Sequence, residues 1–172
     1  MNGDWYAGVR VLHILAAALW IGTTALLTFF VSPAIRGRGP RGAPVMVELM
    51  RRRMGLYIAV ASGVTILSGL WLYWIFTAGF DLGVIASPSG LIFGIGALCG
   101  IVAPIIGGAV IGRSAERIAK VARKATQLAD GAERNALMGD VAILQRRVAT
   151  FSRIDVLLLV AALVLMSLGH YV

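Results

Sequence analysis

The sequence predicts an all-α membrane protein with four transmembrane helices in an up-down antiparallel bundle. Hydrophobic residues make up 59% of the 172-residue chain and charged residues only 14%, and the mean hydropathy is +0.85. Soluble domains carry about 25% charged residues and fewer apolar ones. Four apolar stretches are each long enough for the roughly 20 helical residues that cross a bilayer. Composition and stretch length together indicate an integral membrane protein.

The four apolar stretches form a single membrane domain over residues 1–172. They place the spans at about residues 9–33, 54–80, 89–112 and 154–172. Between the last two spans, apolar residues recur at helical spacing from residue 113 to 129 and again after Gly131. We therefore expect the third helix to extend to residue 129 and the fourth to begin at residue 132. Together these extensions make a protruding helical hairpin.

The basic residues predict the orientation of the chain. All but one of the 16 Lys and Arg residues fall within Arg36–Arg53 or Arg113–Arg153. Since basic loops near span ends stay on the cytoplasmic side, both segments and the hairpin are expected there, with both termini on the outer side. Topology and contact with anionic lipid headgroups account for the pI of about 10.8. We therefore expect the lipid bilayer as a partner and no nucleic acid.

One face of the first span carries its strongly polar residues. Arg10, His13 and Trp20 follow a 3-4 helical spacing that continues to Thr24, so this face should point into the bundle. An ionisable residue at membrane depth usually faces a cavity, a cofactor or a partner. The alternative is a neutral imidazole that is hydrogen-bonded to Ser62, Thr65 or Ser68, or to a carbonyl freed near Pro104.

Depth in the membrane suggests companions for His13. His170 lies at a similar distance from the cytoplasmic boundary, and Trp71, Trp74 and Gly94 reach the same layer. Aromatic walls, a glycine gap and two imidazoles would suit a planar macrocycle such as haem, whose iron takes axial histidine. Arg10 would then pair with the propionates. The tryptophans equally fit an interfacial aromatic belt, and His170 a solvated terminal residue.

Three further features have interpretations that stay open. The glycine-rich third span predicts close packing within the chain, a homodimer contact or a wall for a flat ligand. Met46, Met50 and Met54 form an i, i+4 stripe that indicates either flexible packing at the headgroup level or, because thioethers can hold Cu(I), a copper site. Asp155, just inside the fourth span, is expected to form an ion pair at the boundary, with a proton relay as the alternative.

Several segments resemble a group of small bacterial membrane proteins. They are the first-helix pattern His13, Trp20 and Gly22, the span-ending Pro33, the stretch MRRRMGLYIAVASGVTILSGLWLYW and the stretch SRIDVLLL. The group includes the HemJ-type protoporphyrinogen oxidases and the CopD-like copper-resistance domains. Resemblance to the HemJ-type oxidases implies a bundle that binds b-type haem through His13. Resemblance to the CopD-like domains implies copper handling in the envelope, and both imply the bacterial inner membrane.

These observations leave three function classes. The first is a haem b protein with a redox or electron-transfer role near the periplasmic face, with His13 and His170 as candidate axial ligands and a quinone or another redox partner. Whether it is an enzyme stays open, with a haem-dependent membrane oxidoreductase as the candidate class. The second is a copper-handling protein of the CopD-like type. The third is a structural accessory subunit without a cofactor.

Overall fold

The computed structural model describes residues 3–38, 42–129, 131–169 and 171, and these residues form helices and short connections without a strand. Its elements are α1 (Gly3–Leu26), a first π-turn (Leu27–Val31), α2 (Ser32–Gly37), α3 (Ala43–Arg51), α4 (Met54–Phe76), α5 (Leu82–Ile85), α6 (Pro88–Ile106), a second π-turn (Gly107–Gly112), α7 (Arg113–Thr126) and α8 (Ala132–Leu168).

Four helical segments are long and apolar enough to cross a membrane. They are Asp4–Gly37, Met54–Phe76, Pro88–Ala125 and Ala132–Leu168. Their lengths of 34, 23, 38 and 37 residues exceed the minimum for a bilayer. The prediction of an all-α protein with four membrane helices is confirmed.

The largest differences between the observed and the predicted helix ends are in the first two spans. The first span begins at Gly3 instead of about residue 9, and it continues past Pro33 to Gly37. The π-turn directly before α2 interrupts the regular hydrogen-bond ladder next to Pro33. The second span stops at Phe76 instead of about residue 80. Ala78, Gly79 and Phe80 all have positive φ, and the Thr77 hydroxyl accepts a hydrogen bond from the Phe80 backbone N–H.

The spans pack as a ring of four neighbours. The first span packs through α1 against α4 and α8, and α6 completes the ring by packing against α4 and α8. Among the described elements, the Cα atoms of α1 stay more than 8 Å from those of α6, and the Cα atoms of α4 stay more than 8 Å from those of α8. A small core cluster of Trp20, Ala61, Ala103 and Leu159 fills the ring at one level. Because the diagonal helices stay apart, the axis of the bundle above this cluster is open.

The outer surface of the bundle is apolar. Large side chains such as Leu67 (71% exposed) and Leu157 (67% exposed) point away from the other helices. Exposed apolar faces on this scale are expected where hydrocarbon, and not water, is the solvent. The fold therefore buries few side chains within itself and presents most of its apolar area to lipid.

The third and fourth spans extend into a helical hairpin. The third continues through the second π-turn into α7, which packs against the first half of α8. Ala125 and Val141 are the buried residues in its outer part, and Lys124 forms an ion pair with Glu133 at 3.7 Å. The mixed apolar and charged spacing thus produces two antiparallel arms.

The predicted methionine stripe is not on one helix. The chain turns between α3 and α4, where Arg53 adopts a left-handed conformation with φ 57°. This turn separates Met54 from the helix that carries the other two methionines, whose side chains lie outside the described part of the structure.

Arg51 and Arg52 both donate hydrogen bonds to Glu48 at the end of α3, and they hold the pKa of that carboxyl below its usual value.

Candidate functional site

The open axis of the bundle forms a cavity of about 610 Å³. All four spans contribute to its wall, which is mostly apolar, and this volume lies in the range of about 300–1,000 Å³ that is typical of ligand pockets. The polar residues in the lining are Tyr6, Arg10, His13, Thr65, Tyr73 and Ser167. A largely apolar chamber with a few polar groups can hold a mostly apolar ligand and orient it.

His13 is fixed in the cavity wall by α4. Its Nδ1 atom lies 2.9 Å from the backbone carbonyl oxygen of Thr65 and 3.2 Å from the hydroxyl oxygen of Ser68. A carbonyl oxygen only accepts, so Nδ1 carries the proton and donates it. The Ser68 hydroxyl donates to the carbonyl of Val64 and is therefore an acceptor for His13. In the neutral imidazole, this assignment leaves the lone pair on Nε2.

No described residue forms a hydrogen bond with Nε2 of His13. In the neutral ring, Nε2 is a basic nitrogen available to a metal or to a hydrogen-bond donor. A metal-binding histidine usually donates its other ring N–H to a carbonyl or a carboxylate, which fixes the tautomer and the ring orientation. The bond to Thr65 has this form.

Gly69 makes room for the imidazole. A Cβ atom at this position would lie 2.7 Å from Cε1 of His13 and 3.2 Å from its Nδ1. Contacts this short do not occur between a real Cβ and a neighbouring ring, so any side chain here would displace the histidine. The position of His13 therefore depends on a glycine one turn beyond the Thr65 carbonyl.

The structure brings the first-span candidates together. Arg10, His13 and Trp20 all line the cavity. Trp20 is 3% exposed and belongs to the core cluster that closes the cavity at one end, whereas Arg10 is exposed. The 3-4 spacing thus placed these three residues on the inner face of α1.

Trp71, Trp74 and Gly94 are not among the lining residues. Their predicted grouping with His13 depends on a similar depth in the membrane, and depth does not fix the direction in which a side chain points. At about 100° per residue, both tryptophans lie roughly 140° to 160° around α4 from Gly69, on its opposite side. Gly94 lies instead against Tyr73, whose hydroxyl oxygen would be 3.2 Å from a Cβ at this glycine.

Gly69, Tyr73 and Phe93 are among the lining residues that were not predicted from the sequence. Gly69 and Tyr73 follow Thr65 at four-residue intervals, so an azimuthal analysis of α4 could have found them. Phe93 carries no sequence signal that separates it from other aromatic residues. His170 lies outside the described residues, and the described α8 residues that line the cavity toward its end are Met166 and Ser167.

Metal-ligating side chains are sparse in the described part of the chain. It contains no group of three or more His, Cys, Asp or Glu residues placed to hold a metal ion. An ion held only by histidine, cysteine and carboxylate ligands would need such a group. A histidine beside an apolar chamber suits a metal that arrives within an organic macrocycle, which supplies the remaining ligands.

Asp155 does not form the expected ion pair with any described residue. It is 5% exposed and its Oδ1 atom has no hydrogen-bond partner. It lies one turn before Leu159 of the core cluster, so α8 turns it into the bundle and away from the basic loops. The carboxyl group is therefore buried without an ion-pair partner among the described residues.

No family model, curated protein or solved structure matches the chain. The functional argument accordingly depends on the geometry of the site and on the sequence features described above.

We predict that Asp155→Asn leaves the protein as stable as before or stabilises it by about 1 kcal/mol, because a neutral amide is less costly to bury than an uncompensated carboxyl. For a chain of this size this corresponds to a rise of roughly 2–4 °C in Tm. Thermal unfolding in detergent, followed by circular dichroism, measures the change. Asp140→Asn, an exposed site on the same helix, is the control and should show no change. A clear loss of stability in Asp155→Asn alone would mean that the carboxylate has a charged partner.

Proposed function

We propose that the chain is an integral membrane protein that binds b-type haem in the cavity, with Nε2 of His13 as an axial ligand and a redox or electron-transfer role. The observation that carries this proposal is the tautomer of His13. Its Nδ1 proton is committed to the Thr65 carbonyl, and Nε2 has no partner among the described residues. A neutral histidine held in this way is a preorganised metal ligand.

The chamber around His13 fits the rest of such a cofactor. Its volume of about 610 Å³ and its largely apolar wall suit a large planar group, and Trp20 closes one end. Arg10, also in the lining, would attract the propionate carboxylates by charge. When bound, haem supplies one-electron chemistry at its iron, and the apolar surroundings and the axial ligand tune its potential.

The chain's own groups would have distinct tasks at this site. Thr65 and Ser68 orient the imidazole, and Gly69 allows its close approach. Apolar side chains of all four spans keep water away from the bound group. His170 remains the proposed second axial ligand, and a lipid-soluble quinone or another redox protein is the proposed electron partner. A membrane oxidoreductase activity would follow from those partners.

Two other function classes have weaker support. A copper-handling role would draw on the methionines, but the turn at Arg53 divides their stripe. A structural accessory role is favoured by the same hydrogen bonds to Thr65 and Ser68, because they satisfy the only donor of His13 without any ligand. A homodimer through the glycine-rich α6 is compatible with each class.

The charge distribution supports a location in the bacterial inner membrane with both termini on the periplasmic side. The hairpin of α7 and α8 is strongly basic, whereas the connection around α5 contains Asp81 and no Lys or Arg. Basic segments near span ends are retained in the cytoplasm. The hairpin would then be cytoplasmic, and the ring of His13 would lie in the outer half of the membrane.

We predict that detergent-purified protein shows the Soret band of b-type haem and that His13→Ala abolishes this band, because the iron loses its protein ligand. The control is Leu12→Ala, which alters an outward-facing residue on the adjacent position of α1 and should keep the band. Circular dichroism establishes that both variants are folded. An unchanged spectrum in His13→Ala would exclude this ligand. Wild-type protein that shows no Soret band after incubation with haemin and removal of the unbound haemin would favour the accessory role.

We predict that Gly69→Ala weakens haem binding by about tenfold or more, because a shift of the imidazole that costs ~1.4 kcal/mol has this effect on affinity. Haemin titration followed at the Soret band measures the affinity. Gly63→Ala changes the same helix at a position where the added Cβ meets no atom within 4 Å, and it should bind haem normally. Equal affinity in the two alanine variants would contradict the proposed role of the imidazole.

We predict that single cysteines report opposite sides of the membrane for α5 and for the hairpin tip. In a Cys99→Ser background, Leu82→Cys should react with a membrane-impermeant maleimide added to intact cells, since this residue is 80% exposed in the proposed outer connection. Gln127→Cys, at the end of α7, should react only after the cells are lysed. The reverse pattern would invert the orientation.

A further inference from the structure

The cavity is open on one side, between α1 and α8. Ile14 of α1 is 54% exposed and Leu163 of α8 is 51% exposed, although both residues also line the cavity. Ala18, Gly22 and Ser167 are likewise both exposed and part of the lining. We call these five residues the lateral gap. Each of them has one side toward the cavity and another toward the surroundings of the bundle.

The other walls of the cavity are better closed. None of the lining residues of α6 is exposed, and in α4 only Phe76, in the last turn, is exposed. This difference follows from the packing, because α1 packs mainly on α4 and α8 mainly on α6. The two tight helix pairs meet along a less extensive contact between α1 and α8, where the side chains leave the chamber uncovered.

The lateral gap faces hydrocarbon and not water. It runs along α1 from Ile14 to Gly22, a distance of about 12 Å at 1.5 Å per residue. Both residues lie within the first membrane span, Asp4–Gly37. Its rim is apolar except for Ser167, whose hydroxyl donates to the backbone carbonyl of Leu163 and so needs no further partner. A molecule that passes through it must therefore come from the bilayer.

We propose that the lateral gap is the route by which a membrane-dissolved planar tetrapyrrole enters and leaves the cavity. The inference rests on the proposed function, and it commits to an occupant for two reasons. The gap leads to His13, whose Nε2 is available to a metal. Arg10 lies in the same lining one turn toward the N-terminus, where its charge complements carboxylates that remain at the membrane surface.

Narrowing the gap tests the route. Gly22→Leu combined with Leu163→Phe adds bulk to both sides, and a Cβ at Gly22 meets no atom within 4 Å, so the helix can accept the side chain. The control combines Gly63→Leu with Leu157→Phe. Gly63 is also free of neighbours within 4 Å, and Leu157 is exposed, but neither residue lines the cavity.

The measurement uses the full chain in phospholipid vesicles with haemin supplied in donor vesicles. Growth of the Soret band gives the rate of entry, and transfer to an excess of a soluble haem-binding protein gives the rate of loss. We expect the narrowed variant to slow both rates about tenfold, the effect of ~1.4 kcal/mol on a barrier, whereas the control keeps the wild-type rates. A change confined to the loss rate, or wild-type rates for both, would overturn the proposal.

A second readout does not depend on haem. Trp20 lines the cavity and is 3% exposed, so in cofactor-free protein with Trp5, Trp71 and Trp74 replaced by Phe, its fluorescence reports what enters. Lipids with brominated acyl chains should quench the Trp20 fluorescence of the protein with a wild-type gap and of the control. They should quench the fluorescence of the narrowed variant less. Absence of quenching in all three would overturn the gap, even if haem binds. Quenching without a Soret band in any variant would instead overturn haem binding, and with it this cofactor route.

Discussion

The site depends on one hydrogen bond between two membrane helices. Nδ1 of His13 donates to the backbone carbonyl of Thr65, which joins α1 to α4, selects the ring tautomer and fixes the orientation of the imidazole. In hydrocarbon there is no water to replace this partner, so an unpaired N–H would be costly. Gly69 completes the arrangement by allowing the two helices to approach until the ring lies against the backbone of α4. Every chemical property that we infer for Nε2 follows from this contact.

The cavity follows from how the four helices divide into pairs. The pair of α1 with α4 and the pair of α6 with α8 are closely packed, and the backbones of the diagonal helices stay apart among the described elements. Small residues such as Ala61 and Ala103 let the helices converge around Trp20 at the closed end. Beyond this cluster, the described side chains leave the axis open as the cavity. A chamber in the bundle, continuous with the lipid on one side, is thus a property of the packing as a whole.

Hydropathy predicts the number of helices in this protein, because burial in lipid requires long apolar segments whatever their packing partners. The 3.6-residue period of α1 similarly predicts that Arg10, His13 and Trp20 share the inner face. The same reasoning could not place Trp71, Trp74 and Gly94, because residues at one depth can point in any direction around a helix. Asp155 lacks its expected ion pair among the described residues for a related reason, since its position around α8 directs the side chain into the bundle. Local backbone geometry, such as the turn at Arg53, is set by contacts that hydropathy does not describe.

The hydroxyl groups of α4 illustrate how a membrane helix carries polar residues at low cost. Ser62, Thr65, Ser68 and Thr77 all donate to carbonyls of their own helix. What α4 offers to His13 is therefore mainly a peptide oxygen, and every residue type provides this atom. A mutational screen or a covariation search would detect the histidine and the glycine beneath it, yet it would find no side chain at position 65 on which the imidazole depends. The position of the main chain supplies the partner of His13, so a side-chain substitution at position 65 does not remove it.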